Sequence, residues 1–187
     1  MIDKRLTENE VEMFKSLIGS IFENYQHDVF QFSTCVFHNV EFVVNGENYV
    51  LKNEIQRIPF FENDEDFAIF SFLKCDKEMM KSSLVGMKQT TTPIREAIKD
   101  ILLVNDIINV KKNNAEFYEL SYTKAVIFVF ADRKICFAKT IWFDEHINII
   151  VASDPLAKLD NPLNGFEAND DSFLVKGLRK VVSLVNI

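Results

Sequence analysis

The sequence is sparing with the residues that punctuate and staple a chain: 187 residues carry five glycines, four prolines and three cysteines. Gly19, Gly46, Gly86, Gly165 and Gly177 stand apart from one another, so no glycine-rich loop is available to wrap a phosphate, which weighs against the usual nucleotide-binding folds. No serine lies between glycines at the spacing of a nucleophile elbow. Cys35, Cys75 and Cys136 are odd in number, far apart and set among apolar neighbours, the pattern of reduced buried thiols rather than of a disulfide framework. None has the cationic neighbours or helix start that lower a thiol pKa, so none is expected to be a nucleophile. Cys35 and His38 have half the spacing of a zinc pair, but no second pair completes four ligands. No metal and no cofactor is therefore expected.

Long apolar runs are also missing. Nothing approaches the ~18 residues a membrane helix requires, and the stretch from Met1 to Met13 lacks the apolar segment of a secretion signal, so a cytoplasmic protein is expected. Positive charge is in short supply, with 21 Lys and Arg against 28 Asp and Glu and a net charge of -7. Affinity for a phosphate backbone comes from Lys and Arg displacing counterions, so direct nucleic-acid binding by the whole surface is disfavoured and the expected partner is another protein.

What the chain has in quantity is phenylalanine, eighteen of them, within a hydrophobic content of 48%. Rings of this size bury large areas, and alternation along strands would send most of them into a core. Consecutive apolar pairs such as Val36-Phe37 and Ile69-Phe70 cannot share one face of a strand. Their strands must be covered on both sides or leave apolar area open to a partner.

Periodicity sets out the elements. Thr7-x-x-Glu10 is a helix-start signature, and Val11, Phe14, Ile18, Ile21 and Tyr25 recur at helical spacing after it. From His27 the period is two, through Phe30, Phe32, Thr34 and Val36, then Val40, Phe42 and Val44, with a tight turn at Asn45-Gly46. Pro59 and the acidic run through Asp66 read as a solvated loop before a strand from Ala68 to Lys74. Asp76 to Gln89 reads as a weak helix or connector. Thr92-Pro93 predicts the start of a central helix whose buried face is Ile94, Ala97, Ile98, Ile101 and Leu102. A hairpin with Lys111 to Asn114 at its tip follows, then strands over Ala125 to Phe130, Ile135 to Phe143 and Ile147 to Ala152. An irregular loop spans Asp154 to Gly165, and a C-terminal helix opens at Asp171 or Ser172, carrying Leu174, Leu178, Val181, Val182 and Val185. The predicted fold is α+β, an antiparallel sheet of meander hairpins covered by N-terminal, central and C-terminal helices. It is expected as a single domain over 1–187, or as two lobes, 1–76 and 92–187, joined by a connector at 77–91.

Three charged constellations could carry chemistry. Asp132-x-Lys134 after an apolar run has the acidic-x-Lys form of a metal-dependent nuclease, where a strand-borne carboxylate helps hold a divalent cation and the lysine stabilises the reacting phosphate. That geometry needs one strand from Ala125 to Phe143, far beyond the usual ~3 to 10 residues, so a turn is the expected state. Asp144-Glu145-His146 offers ligands or a general acid and base but falls where two strands must be joined. The acidic run Glu62, Asp64, Glu65 and Asp66 lacks the spacing and glycine of a helix-loop-helix calcium site.

The function expected is therefore non-catalytic: an acidic protein-binding module of immunity, chaperone-like or phage counter-defence type, with homodimerisation compatible with that role. The expected surface combines Phe60 and Phe61 with Glu62, Asp64, Glu65 and Asp66, an apolar pair beside a charged rim. A metal-dependent phosphodiesterase using Asp132 and Lys134, and an aromatic-lined carrier of an apolar small molecule, are the alternatives.

Overall fold

The computed structural model describes residues 1–28, 34–60, 63–76, 89–166 and 172–187. Its elements are β1 (Ile2–Lys4), α1 (Glu8–Ser16), β2 (Ile21–His27), β3 (Cys35–Phe37), β4 (Asn39–Val44), β5 (Glu47–Phe60) and β6 (Asn63–Cys75), followed by β7 (Thr90–Ala97), β8 (Asp100–Lys112), β9 (Ala115–Val129), β10 (Lys134–Lys139), β11 (His146–Ala152) and β12 (Phe173–Ser183). Two sheets result. One runs in the order β12-β8-β9-β10-β11-β3, with β1 pairing β9 in parallel, and the other runs β6-β5-β4-β2-β7. All other pairings are antiparallel.

This overturns the α+β expectation: among the described residues α1 is the one α-helix, and the predicted central and C-terminal helices are strands. The N-terminal helix forms where Thr7 predicts it. The Thr7 hydroxyl accepts from the Glu10 amide and the Glu10 carboxylate from the Thr7 amide at 2.7 Å, satisfying two donors of the first turn. It ends nine residues before Tyr25, because Gly19 takes φ +87° just beyond the last turn, a left-handed position that glycine reaches without strain. Ile21 and Tyr25 then belong to β2, whose bulge between Phe22 and Asn24 leaves Phe22 and Tyr25 buried and Ile21 exposed.

Thr92-Pro93 does not open a helix. β7 is an edge strand, where a proline forfeits no needed ladder bond, and its threonines are β-branched residues suited to extended backbone. The predicted buried face divides: Ile94, Ile98 and Ile101 point into the main core, while Leu102 packs with Val104 on the reverse face of β8. A strand covered on both sides presents a continuous apolar run, which periodicity cannot distinguish from a helix. The C-terminal segment errs the same way, since Leu174, Leu178 and Val181 have helical spacing yet stand 47%, 58% and 41% exposed on β12. The acidic loop expected before Ala68 is also a strand, because β6 already begins at Asn63. Strands Phe30–Phe32, the weak helix with Met79, Met80, Leu84 and Met87, and most of the 77–91 connector fall outside the described residues, as does Asp171.

The reversals were legible. Asn45 and Gly46 have φ 50° and 75°, and Asn113 and Asn114 have φ 51° and 67°, the positive angles of tight hairpin turns. The two sheets face each other across a core in which Phe22 and Phe42 of one meet Phe128 of the other at ring distances of 4.9 and 5.3 Å. α1 closes this core by laying Phe14 on Phe72, ring centroids 3.7 Å apart and planes nearly parallel. A second cluster joins Phe67 and Ile69 of β6 to Ile108, Leu120 and Tyr122 of the β8–β9 hairpin. A third fills the reverse face of the larger sheet, where Ile127, Cys136 and Ile150 pack beneath Leu156 and Leu159 of the connecting loop. The phenylalanine surplus thus serves strands buried on two sides. Among the described residues no helix is long and apolar enough to cross a membrane.

Candidate functional site

β5 and β6 form a long hairpin whose far end carries the expected surface. Pro59 pairs with Asp64, Ile58 with Glu65 and Arg57 with Asp66. All three acidic residues are exposed, and Arg57 approaches Asp66 only to 3.7 Å, an exposed pair of little energetic consequence. Phe61 and Glu62 lie outside the described residues. Phe60 is half-buried in an aromatic group, 5.2 Å from Trp142, 5.6 Å from Tyr118 and 5.8 Å from Phe166. The Tyr118 hydroxyl donates to the Pro59 carbonyl at 2.8 Å, fixing the hairpin against β9.

Trp142 organises the same end. Its indole donates to the Gly165 carbonyl at 2.9 Å, and its own carbonyl accepts the Ala68 amide at 2.7 Å, so the β10–β11 loop lies against β6. Gly165 sits at φ +81°, and a Cβ there would meet the indole nitrogen at 2.8 Å, so only glycine fits both the angle and the space. The next residue, Phe143, turns outward with 48% of its surface exposed. Carboxylates on β6 and an exposed ring on the neighbouring loop therefore share one end of the sandwich.

Asp132 and Lys134 do not share a strand. Asp132 stands exposed in the bend after β9, the Phe130 amide donates to the Arg133 carbonyl at 2.9 Å, and Lys134 opens β10. Asp100 and Asp106, which could have served as a second carboxylate beside Asp132, are engaged elsewhere: Asp100 accepts from Ser183 Oγ at 2.7 Å, and Asp106 receives Arg179 through two bonds of 2.7 and 2.8 Å. Among the described residues no group of three His, Cys, Asp or Glu could hold a metal ion.

Asp144, Glu145 and His146 fasten a connection. Asp144 accepts from Thr140 Oγ1 at 3.0 Å and meets His146 Nδ1 at 2.6 Å, while Glu145 accepts the Ile55 amide at 3.2 Å. Burial pushes the Asp144 carboxyl up, but the bonds from His146 and Thr140 outweigh it and hold the group below its ordinary value. The thiols are free and poor nucleophiles. Burial raises all three, Cys136 to about 12, and Asp144 pushes Cys35 in the same direction.

Three features escaped the sequence reading. Lys139 is wholly enclosed, donates to the Ala68 carbonyl at 2.5 Å and lies 4.9 Å from the Phe70 ring centre, and burial drives its pKa well below the usual lysine value. Strand alternation in β10 was the available signal, since Ile135 and Phe137 share its side. The second feature is a groove of about 700 Å³ between α1 and the end of β12, with Leu6, Val11, Leu103 and Leu184 among its walls. Its floor holds Asn105, 8% exposed, whose carbonyl oxygen accepts from Thr123 Oγ1 at 2.9 Å while its amide nitrogen bonds to no protein group among the described residues. The third is the outer edge of β12, along which no further strand pairs among the described residues. Comparison with known proteins finds no match, whether among family models, curated proteins or solved structures.

Proposed function

We propose that the protein is a non-catalytic protein-binding module whose docking surface is the far end of the β5–β6 hairpin. The observation that carries this is the run of exposed carboxylates Asp64, Glu65 and Asp66 on an edge strand, beside a loop that exposes Phe143. Charge at the rim and an aromatic side chain at the centre form a common interface pattern, and the rigid aromatic group beneath, anchored by Phe60 and Trp142, spares the surface an ordering cost on binding. The partner this surface suits is basic.

The test uses the protein as bait in extract of its native host, beside D64K/E65K/D66K and F143A. A species captured by the parent protein and lost by the charge-reversed variant, with stability changed by no more than about 0.5 kcal/mol, supports the reading. Equal capture by all three proteins ends it.

Asn105 favours a second reading, a carrier of a small apolar ligand bearing a hydrogen-bond acceptor. A side-chain amide that no protein group among the described residues meets, opening on a groove with Leu6, Val11, Leu103 and Leu184 among its walls, is a ready donor for such a ligand. Native mass spectrometry of the purified protein and of N105L checks it, extra bound mass lost in the variant being the supporting result.

A further inference from the structure

β12 closes one side of the larger sheet with eleven residues, about twice the ordinary strand length. From Leu174 to Ser183, the described residues give its main chain no hydrogen bond beyond the ladder with β8. A long edge of this kind is a template on which another chain can add a strand. Alternation puts Leu174, Lys176, Leu178, Lys180 and Val182 on one face. Leu174 and Leu178 are exposed, and neither lysine forms an ion pair among the described residues. Arg179 points to the other face, where Asp106 and the Asp160 carbonyl hold it.

The lysines decide what can pair. A second copy joining antiparallel through a two-fold axis, with all of Phe173–Ser183 in register, is centred on Leu178, because the strand ends are equidistant from it. Lys176 and Lys180 are equidistant from it too, so each copy's Lys176 lands directly opposite the other's Lys180. Like charges directly opposed across strands are destabilising, and the edge is therefore guarded against its own kind in this longest register. The same spacing selects a complement: carboxylates four residues apart, with apolar side chains before, between and after them. We propose that β12 is a docking edge for an extended acidic segment of another protein, added as a further strand with its two carboxylates opposite Lys176 and Lys180. This goes beyond the hairpin-end reading, since the two surfaces lie on different sheets and carry opposite charge.

The experiment uses the whole protein and a capped nonapeptide with valine at the first, fifth and ninth positions, glutamate at the third and seventh, and threonine elsewhere. Its symmetry lets it pair in either direction. Amide NMR shifts confined to Leu174–Val182 and its neighbours on β8 are expected. K176E/K180E should bind this peptide about tenfold more weakly or worse, and should prefer a version with lysine in place of glutamate. Unmoved β12 amides at millimolar peptide, equal affinity for the two peptides, or failure of the charge swap to reverse the preference would overturn the proposal. So would concentration-dependent dimers of the parent protein formed through β12. D64K/E65K/D66K leaves β12 intact and should bind the peptide as the parent does, so failure at one surface is read separately from failure at the other.

Discussion

Glu41 ties the stability of the smaller sheet to pH. It is 2% exposed, and burial pushes its carboxyl up to about 7, with the Gln89 side chain donating at 3.0 Å and pulling the other way. Below its ordinary value both folded and unfolded chains hold this proton. Between that value and about 7 only the folded chain keeps it, so the unfolded state gains by ionising and stability falls as pH rises through the window, then levels off. E41Q keeps the shape and removes the charge. It should match the parent at the acid end of the window and exceed it by about 2–3 kcal/mol at pH 8, as read from urea unfolding at both pH values. A variant that is less stable at pH 8 would mean that the ionised carboxylate is well solvated in the fold.

At the scale of elements, α1 is short for a helix that must hold unaided, and its capping box and Phe14 compensate. Because Phe14 is fully buried and stacked on Phe72, F14A should cost about 3–5 kcal/mol by thermal or denaturant unfolding. Which elements the sequence disclosed follows from how local their signals are. Thr7 with Glu10, Asn45 with Gly46, and the bend at Asp132 are fixed by chemistry within four residues, and each is found where the sequence puts it. Ile94 to Leu102 and Leu174 to Val185 depend instead on neighbours far along the chain, since a strand covered on both faces and an exposed edge strand can each carry helical spacing. Gly177 was the local sign against the second of those helices, as Gly19 was against carrying α1 on to Tyr25. A Cβ on Gly177 would meet Leu163 at 2.9 Å, a close approach that a strand packed under a loop requires. Of the two proposed surfaces, the acidic row was legible from charge alone. The β12 edge was not, because its meaning depends on β8 being the one strand paired with it among the described residues.

For the whole molecule, nearly every element is held by something distant in sequence. β1 pairs with β9 and β3 with β11, and β7 completes a sheet begun by β2. Folds dominated by such contacts form slowly, so refolding from denaturant is expected on the scale of milliseconds to seconds or longer. Trp142, the single tryptophan, lies in the second cluster, and its fluorescence in a stopped-flow experiment reports when that cluster closes. A microsecond recovery would contradict the topology. The parallel bridge from Ile2–Lys4 to Leu120–Tyr122 has a consequence at the ribosome. β1 emerges over a hundred residues ahead of the segment that receives it, so Ile2–Lys4 stays without its partner strand while that length of chain is made.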